Sequence, residues 1–114
     1  MTLTTIPYDQ FAAVELRVGT VTRAENFPEA RNPACKIWAD FGPEFGIKQT
    51  STQITVHYQP EKLIGKQIVG CLNLGNKKIA GFTSEFLCAG FPDANEAIVL
   101  VCPDKPVPNG AKLF

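Results

Sequence analysis

Cys35-Lys36-Ile37-Trp38-Ala39-Asp40-Phe41 alternates without a break, with Cys35, Ile37, Ala39 and Phe41 on one side and Lys36, Trp38 and Asp40 on the other. A period of two is the pattern of a half-buried β-strand. Gly42-Pro43-Glu44 then turns the chain, and a further strand sets Phe45, Ile47 and Gln49 on one side and Lys48 and Thr50 on the other. The two strands are expected to form a hairpin. Trp38, the only tryptophan, shares the nominally polar side with Lys36, which predicts that another part of the chain covers that face.

Upstream, Val14, Leu16 and Val18 share one parity and Val21 takes the other, with Gly19 between them. Glycine suits a β-bulge, so a first strand over residues 14–24, sharply bent at Gly19, is expected; bending of this kind lets a small barrel close and lose its open edges. Pro7-Tyr8-Asp9-Gln10-Phe11 can form one helical turn with Phe11 turned inward as a plug. Downstream, residues 51–59 read as a short helix with Ile54 and Tyr58 stacked, ended by Pro60, followed by a turn over residues 61–65. Residues 67–74 are apolar on both sides, as in a central strand. Gly75-Asn76-Lys77-Lys78 reads as a tight turn, with further strands near residues 84–89 and 98–102 and a Pro-rich tail beyond. The expected fold is all-β: a five-stranded Greek-key barrel of the oligonucleotide/oligosaccharide-binding (OB) type, with a short helix between strands three and four and short terminal extensions, forming one domain over residues 1–114.

Eleven basic residues balance eleven acidic ones, so the molecule as a whole has no long-range attraction for phosphate backbones or anionic membranes, and any nucleic-acid site must be a local patch. The apolar runs fall far short of the roughly 20 residues that span a bilayer, and the first eight residues hold no basic residue. A cytoplasmic protein without membrane insertion is expected. The four cysteines, Cys35, Cys71, Cys88 and Cys102, form no CxxC pair and sit among apolar neighbours, which predicts buried free thiols rather than metal ligands or disulfides. His57, the single histidine, has no nucleophile or carboxylate beside it in sequence and reads as a helix-surface residue, and the acidic residues are scattered singly. No catalytic residue, metal site or cofactor is expected. A thiol enzyme remains an alternative, but it needs an exposed, electropositive cysteine.

Several stretches taken together resemble the tRNA-binding-domain family: Leu16-Arg17-Val18-Gly19-Thr20-Val21, Phe27-Pro28-Glu29-Ala30-Arg31, Gly46-Ile47-Lys48-Gln49-Thr50-Ser51, Tyr58-Gln59-Pro60-Glu61-Lys62-Leu63-Ile64-Gly65 and Ile79-Ala80-Gly81-Phe82-Thr83-Ser84-Glu85. In members appended to methionyl-tRNA synthetase the segment over residues 84–89 usually reads Ser-x-Gly-Met, whereas here it is Ser84-Glu85-Phe86-Leu87. In that segment the sequence is more similar to the small chaperone-like members. That resemblance implies a cytoplasmic homodimer, joined through both chain ends, that holds unfolded preproteins for Sec export and has the SecA motor as a further partner. The alternative it implies is binding of tRNA or single-stranded nucleic acid.

A basic rim with aromatic company would serve either ligand. The candidates are Arg31, Lys36, Lys48, Lys77 and Lys78 for charge, and Trp38, Phe82 and Phe86 for stacking or apolar contact. Solvated turn lysines and ordinary core aromatics are the bland alternative for each residue taken singly.

Overall fold

A computed structural model describes residues 1–114. The order is α1 (Tyr8–Ala12), β1 (Leu16–Asn26), β2 (Cys35–Asp40), β3 (Ile47–Thr52), α2 (Pro60–Leu63), β4 (Gln67–Cys71), β5 (Lys77–Ile79), β6 (Phe82–Ser84), β7 (Leu87–Cys88), β8 (Gly90–Pro92) and β9 (Ile98–Leu100). The main sheet runs β3-β2-β1-β4-β7, antiparallel throughout. The chain between β6 and β7 closes it against β3. Glu85 donates its backbone N–H to the Gln49 carbonyl at 2.8 Å, and the buried Thr50 hydroxyl donates to the Phe86 carbonyl at 2.6 Å. The expected five-stranded OB-type barrel is therefore present, and β5–β6 and β8–β9 are two small hairpins attached to it.

The alternation in β2 produces the expected hairpin, with Ile37 opposite Thr50 and Trp38 opposite Gln49. Cys35, Ile37 and Ala39 face inward and are fully buried. The bend in β1 lies elsewhere than expected. Val21 pairs with Ala39 and Arg23 with Trp38, so Thr22 is the bulged residue that resets the parity. Gly19 answers a different need, since a Cβ there would lie 2.8 Å from the Phe41 ring. Gly70 on β4 leaves room in the same way, its added Cβ falling 2.7 Å from Phe86 and 2.9 Å from Phe41. Phe41 and Phe86 meet edge to face at 4.9 Å and, with Ile37, Ile54, Leu63 and Ile68, fill the barrel.

The helix predicted over residues 51–59 does not form. Ser51 and Thr52 are held in β3 by pairing with Lys36 and Cys35, and Thr52, Ile54, Thr55 and Val56 are β-branched and disfavour helix. Helix α2 instead begins at Pro60, whose missing N–H is harmless in a first turn, and its Leu63 is fully buried. Helix α1 forms as expected, but it buries no residue: Phe11 is 37% exposed and packs on Tyr8 at 6.0 Å rather than entering the core. Lys77 and Lys78 lie on strand β5 rather than in a turn. The turn is Ala80-Gly81, with φ of 48° and 82°, the left-handed pair favoured by tight hairpins.

The C-terminal segment is tied back onto β1. Glu15 accepts from Arg17 at 2.6 Å and from Lys112 at 3.0 Å, while Arg17 donates to the Gly110 carbonyl at 2.9 Å. These two cations hold the Glu15 carboxyl below its ordinary range, the Arg17 hydrogen bond contributing most. A carboxylate depressed in the folded state stabilises the protein above its unfolded pKa, and the contribution disappears as pH falls through the lower folded value. Glu15→Gln should therefore reduce stability at neutral pH and flatten the acid limb below about pH 4.5. Urea midpoints of both proteins from pH 3 to 7 should converge at the acid end.

Candidate binding faces

The register places one aromatic and cationic cluster on the outer side of β1 and β2. Because Arg23 pairs with Trp38 across the bulge, its guanidinium lies 4.3 Å from the centre of the Trp38 ring. The Trp38 indole N–H donates to Gln49 Oε1 at 3.1 Å, and the Gln49 amide donates to the Thr83 carbonyl at 2.9 Å. That link draws the β5–β6 hairpin over the strand face, where Phe82 meets Trp38 at 5.9 Å and Phe27 at 5.6 Å. Lys36 Nζ caps the pair, 4.6 Å from the Phe27 centroid and 5.0 Å from that of Phe82. The cover predicted for Trp38 is thus Phe82 and its hairpin.

Of the eight candidates, Lys36, Trp38 and Phe82 come together here. Lys77 and Lys78 are exposed on β5, with Lys78 opposite Thr83. Three others do not join the cluster. Phe86 is only 5% exposed and belongs to the core against Phe41, away from the cluster. Lys48 pairs with Ala39, on the face opposite to Trp38, because strand parity separates it from Gln49. Arg31 stands exposed in the turn after β1, and no contact ties it to Lys36. None of the five candidate cations takes part in an ion pair.

Sequence reading missed Arg23 and Phe27. A strict period of two assigns Arg23 to the wrong side because the bulge at Thr22 is invisible in the pattern. Phe27 falls just beyond β1, in what reads as a loop.

A second surface was also missed: an open groove of about 720 Å³ between the end of β3, the start of β5 and the β8–β9 hairpin. Leu74, Leu87, Phe91, Ile98 and Val101 line it, with Lys77 at its rim. Leu74 is 66% exposed, Leu87 57% and Phe91 70%, a concentration of apolar surface that solubility alone disfavours. Beside it the outer edge of β5 has no strand partner. The sequence signal was slight: Leu74 and Phe91 flank Gly75 and Pro92, where apolar residues draw no notice.

The β8–β9 wall is fastened from the other side. Tyr58 Oη accepts from the Leu100 N–H at 2.9 Å, and His57 Nε2 lies 2.7 Å from Asp93. His57 is thus a loop residue holding a hairpin, not a helix-surface residue. Its hydrogen bond, aided by the Ala97 and Asn95 N–H groups, holds the Asp93 carboxyl below its ordinary value. No cluster of His, Cys, Asp or Glu could hold a metal ion, and no helix is long and apolar enough to cross a membrane. The cysteines divide: Cys35 and Cys71 are buried as expected, whereas Cys88 is half-buried and Cys102 exposed. They differ because β7 and the segment after β9 lie at the margin of the barrel.

The fold is an OB-type barrel that carries two candidate faces. The chain belongs to the tRNA binding domain family, whose profile matches residues 16–112. It is similar to chaperone CsaA from Bacillus anthracis, with 47% identity over 97% of this chain and 100% of that one, at a TM-score of 0.88. It is also similar to the CsaA chaperone protein from Picrophilus torridus, with 36% identity over 96% and 100% of the two chains, again at 0.88. It is 39% identical over 105 residues to the methionine-tRNA ligase of Methanothrix thermoacetophila, covering 92% of this chain and 15% of that enzyme. The chain thus spans about 15% of the length of such ligases.

Proposed function

We propose that this protein is a non-catalytic, ATP-independent cytoplasmic chaperone that holds extended segments of unfolded preproteins on their way to Sec export. The observation that carries this reading is the groove beside β5, where Leu74, Leu87 and Phe91 are each more than half exposed. Unfolded chains expose apolar side chains and unpaired backbone groups. The groove offers apolar surface for the former, and the free edge of β5 offers N–H and C=O groups for the latter, both independent of sequence. Zero net charge suits clients of varied charge, and Lys77 favours acidic segments at the rim. The similarity to two CsaA chaperones along nearly the whole chain supports the same reading.

A homodimer is part of the proposal. The exposed apolar residues Leu3, Ile6, Tyr8, Leu113 and Phe114 sit on the two terminal segments, where a second copy would cover them. SecA, as the receiver of held preproteins, completes it. Molar excess of the protein should suppress aggregation of a heat-denatured model enzyme without nucleotide. Unchanged aggregation would remove the chaperone assignment, and a monomeric mass by light scattering at tens of micromolar would remove the dimer.

The aromatic and cationic cluster favours a second reading, binding of tRNA or single-stranded nucleic acid. Phe82 and Trp38 provide ring surface for bases, Lys36 and Arg23 lie against those rings, and Lys77 and Lys78 add charge on the adjoining strand β5. Titration of labelled tRNA should then show affinity that falls with salt, by a log–log slope of about 0.7–0.9 per phosphate neutralised. Changing both Lys77 and Lys78 to Glu should lower that slope by about two. Absence of binding at low salt would dismiss it.

A further inference from the structure

We infer that Cys88 and Cys102 form a cross-strand dithiol that small-molecule disulfides convert into an intramolecular disulfide, fastening the chain after β9 to β7. The register is the basis. Gly90 faces Leu100, Phe91 faces Val99 and Pro92 faces Ile98, and the Val101 N–H donates to the Ala89 carbonyl at 3.1 Å, carrying the ladder one step further. The Ala89 N–H turns to the Val69 carbonyl at 2.8 Å, and the same register carried one step further would bring Cys88 opposite Cys102. In that register the pair adjoining Ala89 and Val101 takes the close, non-hydrogen-bonded position, for which Cα atoms lie about 4.5 Å apart. Disulfides span Cα separations of about 4.4–6.8 Å, so the bond needs little backbone movement.

The surroundings assign unequal parts to the two thiols. Cys102 is exposed and borders an open depression with Thr20, Gln67 and Pro103, so a reagent reaches it first. Cys88 packs against the core and lines the apolar groove. Burial, with a smaller contribution from Cys102, pushes its thiol up to about 12, and that contribution is itself a sign that the two sulfurs are neighbours.

The chemistry is thiol–disulfide exchange. The Cys102 thiolate attacks one sulfur of R–S–S–R, forming a mixed disulfide and releasing R–S⁻. Cys88 then loses its proton to water or to the released thiolate and attacks the Cys102 sulfur, expelling the second R–S⁻. Two electrons pass from the protein to the reagent, and two R–SH molecules result. Because the second step needs the Cys88 thiolate, ring closure should accelerate about tenfold for each pH unit below its pKa. The bond would fix the wall of the groove that Val101 and Cys88 share.

The test is native full-length protein incubated with oxidised glutathione at pH 7 and pH 9, then denatured, alkylated and cut after glutamate. Cleavage after Glu96 separates the two cysteines, so a linkage is seen directly by mass spectrometry. The expected result is glutathione on Cys102 early at pH 7, a Cys88–Cys102 link that forms much faster at pH 9, and Cys35 and Cys71 still alkylatable. Cys88→Ser should stop at the mixed disulfide on Cys102, and Cys102→Ser should yield no link. Circular dichroism confirms that both variants are folded. Cys102 unreactive, Cys88 still free after prolonged treatment at pH 9, or pairing that involves Cys35 or Cys71 would overturn the inference.

Discussion

Phe41→Ala should lower the free energy of unfolding by about 3–5 kcal/mol, the usual range for deleting a buried phenyl ring. The ring is fully buried, meets Phe86 edge to face at 4.9 Å, and rests on the backbones of two strands at Gly19 and Gly70. Neither strand can collapse into the void without giving up its pairing in the barrel. A second substitution makes the claim specific. Gly19→Ala alone should cost about 1–3 kcal/mol, because its Cβ would lie 2.8 Å from the Phe41 ring. In the Phe41→Ala background that clash is gone and the new methyl occupies part of the void, so the double variant should be no less stable than Phe41→Ala alone. Urea denaturation of the four proteins closes the cycle. Additive losses would mean that Gly19 is there for some reason other than the ring.

Leu87→Asp and Phe91→Asp should each weaken binding of unfolded polypeptide by about 10–100-fold, and together they should abolish suppression of aggregation. Burying a Leu or Phe side chain against a ligand contributes about 1.5–3 kcal/mol, which is that range of affinity. The carboxylate adds a desolvation cost. Both side chains are already more than half exposed in the free protein, so stability should change little. The tRNA binding proposed for the other face should survive these changes, since Phe82, Trp38 and Lys36 form their own cluster. Loss of both activities together would place a single site where two faces are now distinguished, and retained holdase activity in the double variant would remove the groove from the mechanism.

Strand β2 was the most legible part of the molecule. The unbroken alternation from Cys35 to Phe41 determines which side chains are buried, because a half-buried strand has no other way to satisfy both faces. The identity of Lys36 and Trp38 as neighbours on the outer face follows from the same rule. Residues 51–59 were misread because local spacing favoured a helix, while pairing with a strand distant in sequence held the first of them in β3. The cluster was half legible: Lys36, Trp38 and Phe82 were identifiable by type, but Arg23 needed the bulge and Phe86 was drawn into the core by Phe41.

By itself, then, the sequence determined a small β-barrel, the burial of alternate residues in β2, the family it belongs to, and the absence of any net field to attract phosphate. Only the tertiary structure decided which cations meet aromatic rings, where apolar side chains are left open in a groove, and how the β8–β9 hairpin is registered. The reason is physical: periodicity reports which side of a strand a residue occupies, but not which strand comes to lie beside it. Contacts between segments far apart in the chain depend on register, bulges and closure, and these are settled by packing the whole barrel at once.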